Sequence, residues 1–202
     1  MRFALPNGGL EKRDPLLMKY HHLEIPIPSN VHIVQKDHSL WFQGPLGSIC
    51  MDLSTLDPYG IAFWKIRPED HAIDLMLNGS HAKAKSMSRS IRTKLRKTIE
   101  GITRGVFVSL VFVGVGYRAQ VNSDSSSIDL KLGYSHPIQY PIDPTFRVVQ
   151  KKPTELSLYG IDHHHISQIA SNLRDYRRPE PYKGKGIRYT HESISLKVGK
   201  KK

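Results

Sequence analysis

The 202-residue sequence holds one cysteine, Cys50. That excludes an internal disulfide and any zinc site built on several thiolates, and it fits a reducing compartment. No run of eighteen apolar residues occurs, so nothing reads as a membrane span. The longest apolar stretch, Val106 to Val115, is broken by Ser109 and Gly114 and has the length of a buried strand. The opening MRFALPNGGLEKRD lacks the apolar core and cleavage pattern of a secretory signal, and its proline, paired glycines and acids do not suit a transit peptide.

Catalytic signatures are missing as well. There is no G-x-S-x-G elbow, no H-E-x-x-H, no convergent carboxylate pair and no G-x-x-x-x-G-K-[ST] phosphate loop. Gly114-Val115-Gly116 lacks the third glycine of a nucleotide loop and reads as a strand bend or a close packing contact. Of the 11 histidines, three are adjacent, His163-His164-His165. On a helix neighbours point about 100° apart, so the three cannot converge on one metal. The expectation is a non-enzyme with no metal and no cofactor.

Positive charge is what the chain has in excess, +12 in all, and it is concentrated. Residues 83–104 carry 8 basic groups against 1 acidic, and residues 172–202 carry 10 against 3. The remaining segments, 1–82 and 105–171, are near neutral, with 7 against 9 and 5 against 5. A positive field focused on two short segments is the footprint of a polyanion partner.

Residues 1–24 show no clear periodicity and read as an extension. β character starts at Ile25: Val31 to Val34, a turn at Lys36 to Ser39, then Leu40 to Phe42, closed by Gly44. Ser48 to Leu53, Ile61 to Ile66 and Ala72 to Leu77 read as further strands. Met87, Ile91, Leu95, Ile99 and Ile102 then recur at helical spacing. Ser86 or Ser88 is placed to start that helix, and Gly101 or Gly105 to end it. Its other face carries Arg89, Arg92, Lys94, Arg96 and Lys97, a candidate secondary contact for RNA or protein, with only Glu100 nearby as an acid. After the strand from Val106, Ser123 to Ser127 is a polar turn and Ile128 to Leu132 alternates as a half-buried strand.

An internal repeat follows. Ile33-Val34-Gln35-Lys36 returns as Val148-Val149-Gln150-Lys151, each copy followed by a turn, a short apolar strand and a glycine, Gly44 or Gly160. The spacing between the copies grows by one residue from the first strand to the glycine. Each copy has an amphipathic helix downstream. The second runs from about His163 to Tyr176, with Asp162 placed as its cap. The same order of elements twice predicts a duplicated domain.

The most charged stretch is Arg177-Arg178-Pro179-Glu180-Pro181-Tyr182-Lys183-Gly184-Lys185-Gly186-Ile187-Arg188-Tyr189. Prolines stiffen its entry and glycines allow close approach of its backbone to a partner. Cations with interleaved aromatics suit phosphates and bases. The stretch is part of Asn172 to Tyr189 (NLRDYRRPEPYKGKGIRY), which the lysine tail Lys200 to Lys202 follows. Taken with Gly101 to Gly105 (GITRG), Leu110 to Ala119 (LVFVGVGYRA) and Ile128 to Ile138 (IDLKLGYSHPI), it closely resembles ribosomal protein six of the large subunit. The likeness is close over the C-terminal half and looser over Ile25 to Gly44 and the first helix.

The resemblance implies an α+β fold, a tandem duplication of a small domain. Each copy would be an antiparallel β-sheet packed with one main α-helix, and a basic C-terminal tail would follow. The expected organisation is an extension (1–24), a first repeat domain (25–105), a second repeat domain with the rRNA-binding segment (106–189) and a basic tail (190–202). It implies a structural constituent of the large ribosomal subunit, bound to large-subunit rRNA near the sarcin–ricin loop and the stalk base. Its partners would be rRNA, neighbouring large-subunit proteins and, indirectly, translation factors, with no membrane and no homo-oligomer.

The expected rRNA contacts are Arg177, Arg178, Tyr182, Lys183, Gly184, Lys185, Gly186 and Arg188, as an extended clamp, together with Lys200, Lys201 and Lys202. Tyr182 either stacks on a base or sugar or packs against the last helix. Departures before Ile25 and around Asp57 to Asn78 point to a mitochondrial ribosome, with a bacterial cytoplasm or chloroplast as the alternative. The rival reading is a free-standing RNA-binding or RNA-chaperone module.

Overall fold

The computed structural model describes residues 20–67, 69, 71–78, 83–122 and 126–199. The first half comprises β1 (Tyr20–Pro26), β2 (His32–Lys36), β3 (Ser39–Gly44), β4 (Gly47–Asp52), the short α1 (Leu53–Leu56), β5 (Ala62–Arg67), β6 (Ala72–Asn78) and α2 (Ala84–Arg104). The second comprises β7 (Val106–Val113), β8 (Arg118–Val121), β9 (Ser127–Lys131), β10 (Ile138–Pro141), β11 (Phe146–Lys152), β12 (Glu155–Gly160), α3 (His163–Asp175) and β13 (Gly186–Tyr189).

Each half packs two antiparallel sheets and one long helix around its own core. In the first, the sheets run β1-β6-β5 and β2-β3-β4. Leu40, Phe42, Ile73, Leu75 and Leu77 meet the α2 stripe of Ile91, Leu95, Ile99 and Ile102. In the second, the sheets run β10-β9-β8 and β11-β12-β7-β13. Leu110, Phe112, Leu156 and Leu158 meet Ile166, Ile169, Ala170 and Leu173 of α3.

The repeated hairpin is the same object in both halves. Ile33 faces Phe42 and Gln35 faces Leu40 across β2 and β3; Val148 faces Leu158 and Gln150 faces Leu156 across β11 and β12. The one-residue growth in repeat spacing is a β-bulge between Gln150 and Lys152, which leaves an extra residue on one strand. The two strand-end glycines also correspond. A Cβ on Gly44 would meet Ile102 of α2, at 3.1 Å from its carbonyl oxygen, and one on Gly160 would meet Ile166 of α3, at 2.6 Å from Cδ1. Each glycine lets a helix sit close on its own hairpin.

Several elements differ from expectation. β1 begins at Tyr20, ahead of Ile25, and pairs along its whole length with β6. Leu23 and Ile25 turn inward while His22 and Glu24 face water, and Glu24 accepts a 2.7 Å bond from Arg67. Polar outward residues concealed the alternation. Residues 1–19 lie outside the described residues, as do Ser123 to Asp124 and Ser125 of the expected turn.

Leu53 opens the short helix α1 instead of ending a strand. Helix α2 starts at Ala84 with no side-chain cap, so neither Ser86 nor Ser88 caps it; the Ser88 hydroxyl donates back to the Lys85 carbonyl inside the helix. Gly101 is a buried helical residue, and Gly105, with φ of 77°, ends the helix. Strands β8, β10 and β13 were not expected.

Candidate nucleic-acid interface

Helix α3 positions the interface. Asp162 caps it through a 2.8 Å bond from the His164 amide, and its apolar face seats it on the sheet. Its last turn therefore delivers Arg174 to Arg178 at a fixed place. The Arg174 guanidinium donates two bonds to the Glu192 carboxylate, 2.6 and 3.2 Å, and holds Glu192 below its ordinary carboxylate value. Arg178 donates to Asp175 at 2.8 Å and lowers that carboxyl in turn.

Arg177 is exposed and lies over the Tyr134 ring, 5.1 Å from its centroid. Tyr134 first, then Tyr117, raises the Arg177 guanidinium above its ordinary value. The Tyr134 hydroxyl donates to the Tyr176 carbonyl at 2.9 Å, and its ring stacks on His136. The buried Tyr117 ring occupies the room left by two glycines: a Cβ on Gly114 would stand 2.8 Å from it and one on Gly133 3.2 Å. Gly114 of the G-x-G is thus a packing device, while Gly116, with φ of 76° and open space beside it, serves the turn. The GVGY, LGYSH and RRPEPYKGKG stretches converge around Arg177. Tyr134 and His136 belong to this surface and were not among the expected contacts. Their signal was the aromatic and imidazole pair inside a glycine-proline turn, which reads equally well as turn chemistry.

Beyond Arg178 the chain forms a closed loop in place of an extended clamp. The Glu180 amide donates to the Lys185 carbonyl at 2.8 Å and the Gly184 amide to the Glu180 carbonyl at 2.9 Å. Gly184, with φ of 67°, makes the reversal. The chain then enters β13, which pairs with β7 along Gly186↔Val113 to Tyr189↔Leu110. The reason is a local one: Ile187 is an apolar residue that reaches full burial only by joining the sheet. Both glycines are buried. The close approach at Gly186 is to the Arg177 and Arg178 carbonyls, at 2.8 and 2.7 Å from a built Cβ.

The loop presents Tyr182, 55% exposed, and the exposed Lys183 at its tip. Lys185 and Arg188 are half-buried. Among the described residues Arg177, Lys183, Lys185 and Arg188 have no ion pair. Residues 190–199 fold back on the domain: the Thr190 amide bonds Ser109, and the Lys197 amide bonds the Pro181 carbonyl beneath the loop at 2.8 Å. Lys200, Lys201 and Lys202 lie outside the described residues.

The α2 cations divide into two flanks. Lys94 donates weakly to the Thr55 carbonyl at 3.5 Å, and Lys97 lies near His163 of α3, whose ring burial and that cation keep below its ordinary value. Arg89, Arg92 and Arg96 share the other flank. The histidines at the start of α3 separate: His163 meets Ser167 and His165 meets Thr145, each at 3.3 Å.

The family model described as "Ribosomal protein L6" matches residues 113–190. The chain is 35% identical over 176 residues to "Large ribosomal subunit protein uL6" of Laribacter hongkongensis, covering 87% of this chain and 94% of that protein. It is 35% identical over 178 residues to the protein of that name from Rhodopseudomonas palustris, covering 88% and 96%. Against that of Xanthobacter autotrophicus it is 34% identical over 186 residues, covering 92% and 100%.

Proposed function

The chain belongs to the ribosomal protein L6 family, and from that premise we propose that the loop between α3 and β13 is its principal rRNA anchor. As a member it is a structural, non-catalytic constituent of the large ribosomal subunit that binds rRNA. One observation carries the anchor: Arg177, Lys183, Lys185 and Arg188, without ion pairs among the described residues, surround a loop closed by its own backbone bonds. A pre-formed loop loses little conformational entropy on binding, and unpaired cations release counterions from phosphates. Arg177 is exposed and held over Tyr134, which fixes the place from which its guanidinium would meet a phosphate.

The anchor is proposed to dock near the sarcin–ricin loop and stalk base, where factors approach the subunit, with the protein present as a single copy. We further propose a mitochondrial ribosome as its home, supported by the α1–β5 region in which the first half departs from the repeat. Cell fractionation followed by sedimentation tests the mitochondrial placement, and chemical footprinting of large-subunit rRNA with and without the protein tests the docking site. The Arg177→Ala/Lys183→Ala/Lys185→Ala protein is expected to fold with wild-type thermal stability and to leave large subunits on a gradient. Normal stoichiometry of that variant on subunits would refute the anchor.

A further inference from the structure

Helix α2 carries a second cationic surface that is built differently from the loop. At about 100° per residue, Lys85, Arg89, Arg92 and Arg96 fall within a wedge of about 60°. All four are exposed. The flank that faces α3, with Gly101 and Lys97, lies on the other side of the helix. Arg96 pairs with Glu100 at 2.8 Å, while Lys85, Arg89 and Arg92 have no ion pair among the described residues.

An outer face adapted to water alone would alternate signs at i,i+4. Here neighbours at 85/89, 89/92 and 92/96 repel, which weakens a helix. The stripe also begins at the positive end of the helix dipole, where cations are unfavourable. Neither the first turn nor a side-chain cap of α2 supplies an acceptor or an acid to offset them, whereas α3 in the same chain has Asp162 as its cap. An isolated domain gains nothing from this arrangement, but a bound polyanion reverses the sign of each of these terms.

We propose that the Lys85–Arg89–Arg92–Arg96 stripe of α2 is a second phosphate-backbone site for duplex RNA. It rests on the rRNA-binding reading of the protein but not on the loop anchor. The helical stripe follows a line of phosphates without reading bases, so its specificity is for the double-stranded backbone.

The full chain is titrated against a mixed-sequence RNA duplex two helical turns long, across about 50 to 200 mM salt. Lys85→Gln/Arg89→Gln/Arg92→Gln is expected to lower the salt slope by about three units of contact. The affinity lost over that salt range then shrinks by about 40-fold. Its melting temperature should equal or exceed that of the wild type, because repulsion has been removed. Single Arg92→Gln should lower the slope by about one contact, and Arg89→Lys/Arg92→Lys should keep it.

An unchanged slope in the triple and single variants overturns the site. So does a triple variant that keeps wild-type duplex affinity but is lost from subunits, which would assign the stripe to an acidic protein neighbour. Lys183→Ala/Lys185→Ala is run alongside. A slope lost there and kept in the helix variants leaves the anchor standing and the stripe refuted, and the reverse refutes the anchor alone.

Discussion

Gly101 of α2 lies directly against the backbone carbonyl of Ile161, across the boundary between the two repeats. The Ile161 side chain packs on the core of the first half, and its Cδ1 would stand 2.7 Å from a Cβ on Gly47. The connection leading into α3 therefore plugs the neighbouring repeat, and it does so at a glycine inside a helix.

Gly101→Ala is the first prediction that follows. Helix propensity alone would stabilise the protein by up to about 1 kcal/mol. The added methyl instead meets backbone, which cannot rotate away. The expected net result is a loss of about 1–3 kcal/mol and faster proteolysis at the domain boundary. A raised melting temperature would show that the contact is not rigid.

Gly186→Ala should affect two properties together. Its φ of 142° is unfavourable for other residues, and the new Cβ would press on the carbonyls of Arg177 and Arg178. The Ile187 amide bonds that same Arg177 carbonyl at 2.8 Å. Displacing it moves the two arginines and strains β13, with an expected cost of about 2–3 kcal/mol and weaker RNA binding. At Gly184 the built Cβ finds ordinary contact with Leu196 at 3.4 Å, so only the φ of 67° opposes Ala, at about 1 kcal/mol. Equal melting temperatures for the two variants would contradict this ranking.

The duplicated hairpin, both long helices and the cation clusters were readable because each rests on local periodicity. Ile33/Val148 and Leu40/Leu156 repeat in pattern as well as in place. The cap at Asp162 was readable too, because it stands directly ahead of the first helical residue, whereas Ser86 and Ser88 fall inside α2. What was hidden depends on partners distant in sequence. β13 reads as a basic tail until β7 offers it an edge, and Gly101 reads as a helix stop until Ile161 is placed against it. Lys94 and Lys97 look equivalent to Arg89 and Arg92 until α1 is placed beside the first and α3 of the second repeat beside the other. Gly186 lies against the protein's own Arg177 and Arg178 carbonyls; glycine signals close approach without saying by what.

Tyr182 tests stacking against packing. Its ring is 55% exposed and has no aromatic or cationic ring partner among the described residues. A side chain that supports so little of the fold should be replaceable without cost to stability. Tyr182→Ala is expected to melt with the wild type and to bind single-stranded or bulged rRNA about tenfold more weakly, from a stacking contribution of about 1–3 kcal/mol. Tyr182→Phe should bind like the wild type. A melting temperature that falls with unchanged RNA affinity would return the residue to packing.

Acid should release the C-terminal segment through Glu192. Its carboxylate takes both bonds from Arg174 and a third, at 3.2 Å, from the Tyr189 amide. Arg174 is the main cause that lowers Glu192 below its ordinary value of 4.5. A lowered folded-state value means that the unfolded chain binds the proton more readily. The stabilisation is therefore complete above about pH 4.5 and is lost as pH falls through the folded value. The two side chains are 27% and 25% exposed, so salt screens the pair only in part. At neutral pH Glu192→Gln is expected to cost about 1–2 kcal/mol, since the neutral amide keeps the shape but weakens the charged bonds. Between neutral pH and strong acid the variant should lose less stability than the wild type, so that their melting curves converge at low pH. Parallel curves would show that Glu192 does not carry the acid response, and amide exchange at Thr190 and Lys197 would then stay slow as the pH drops.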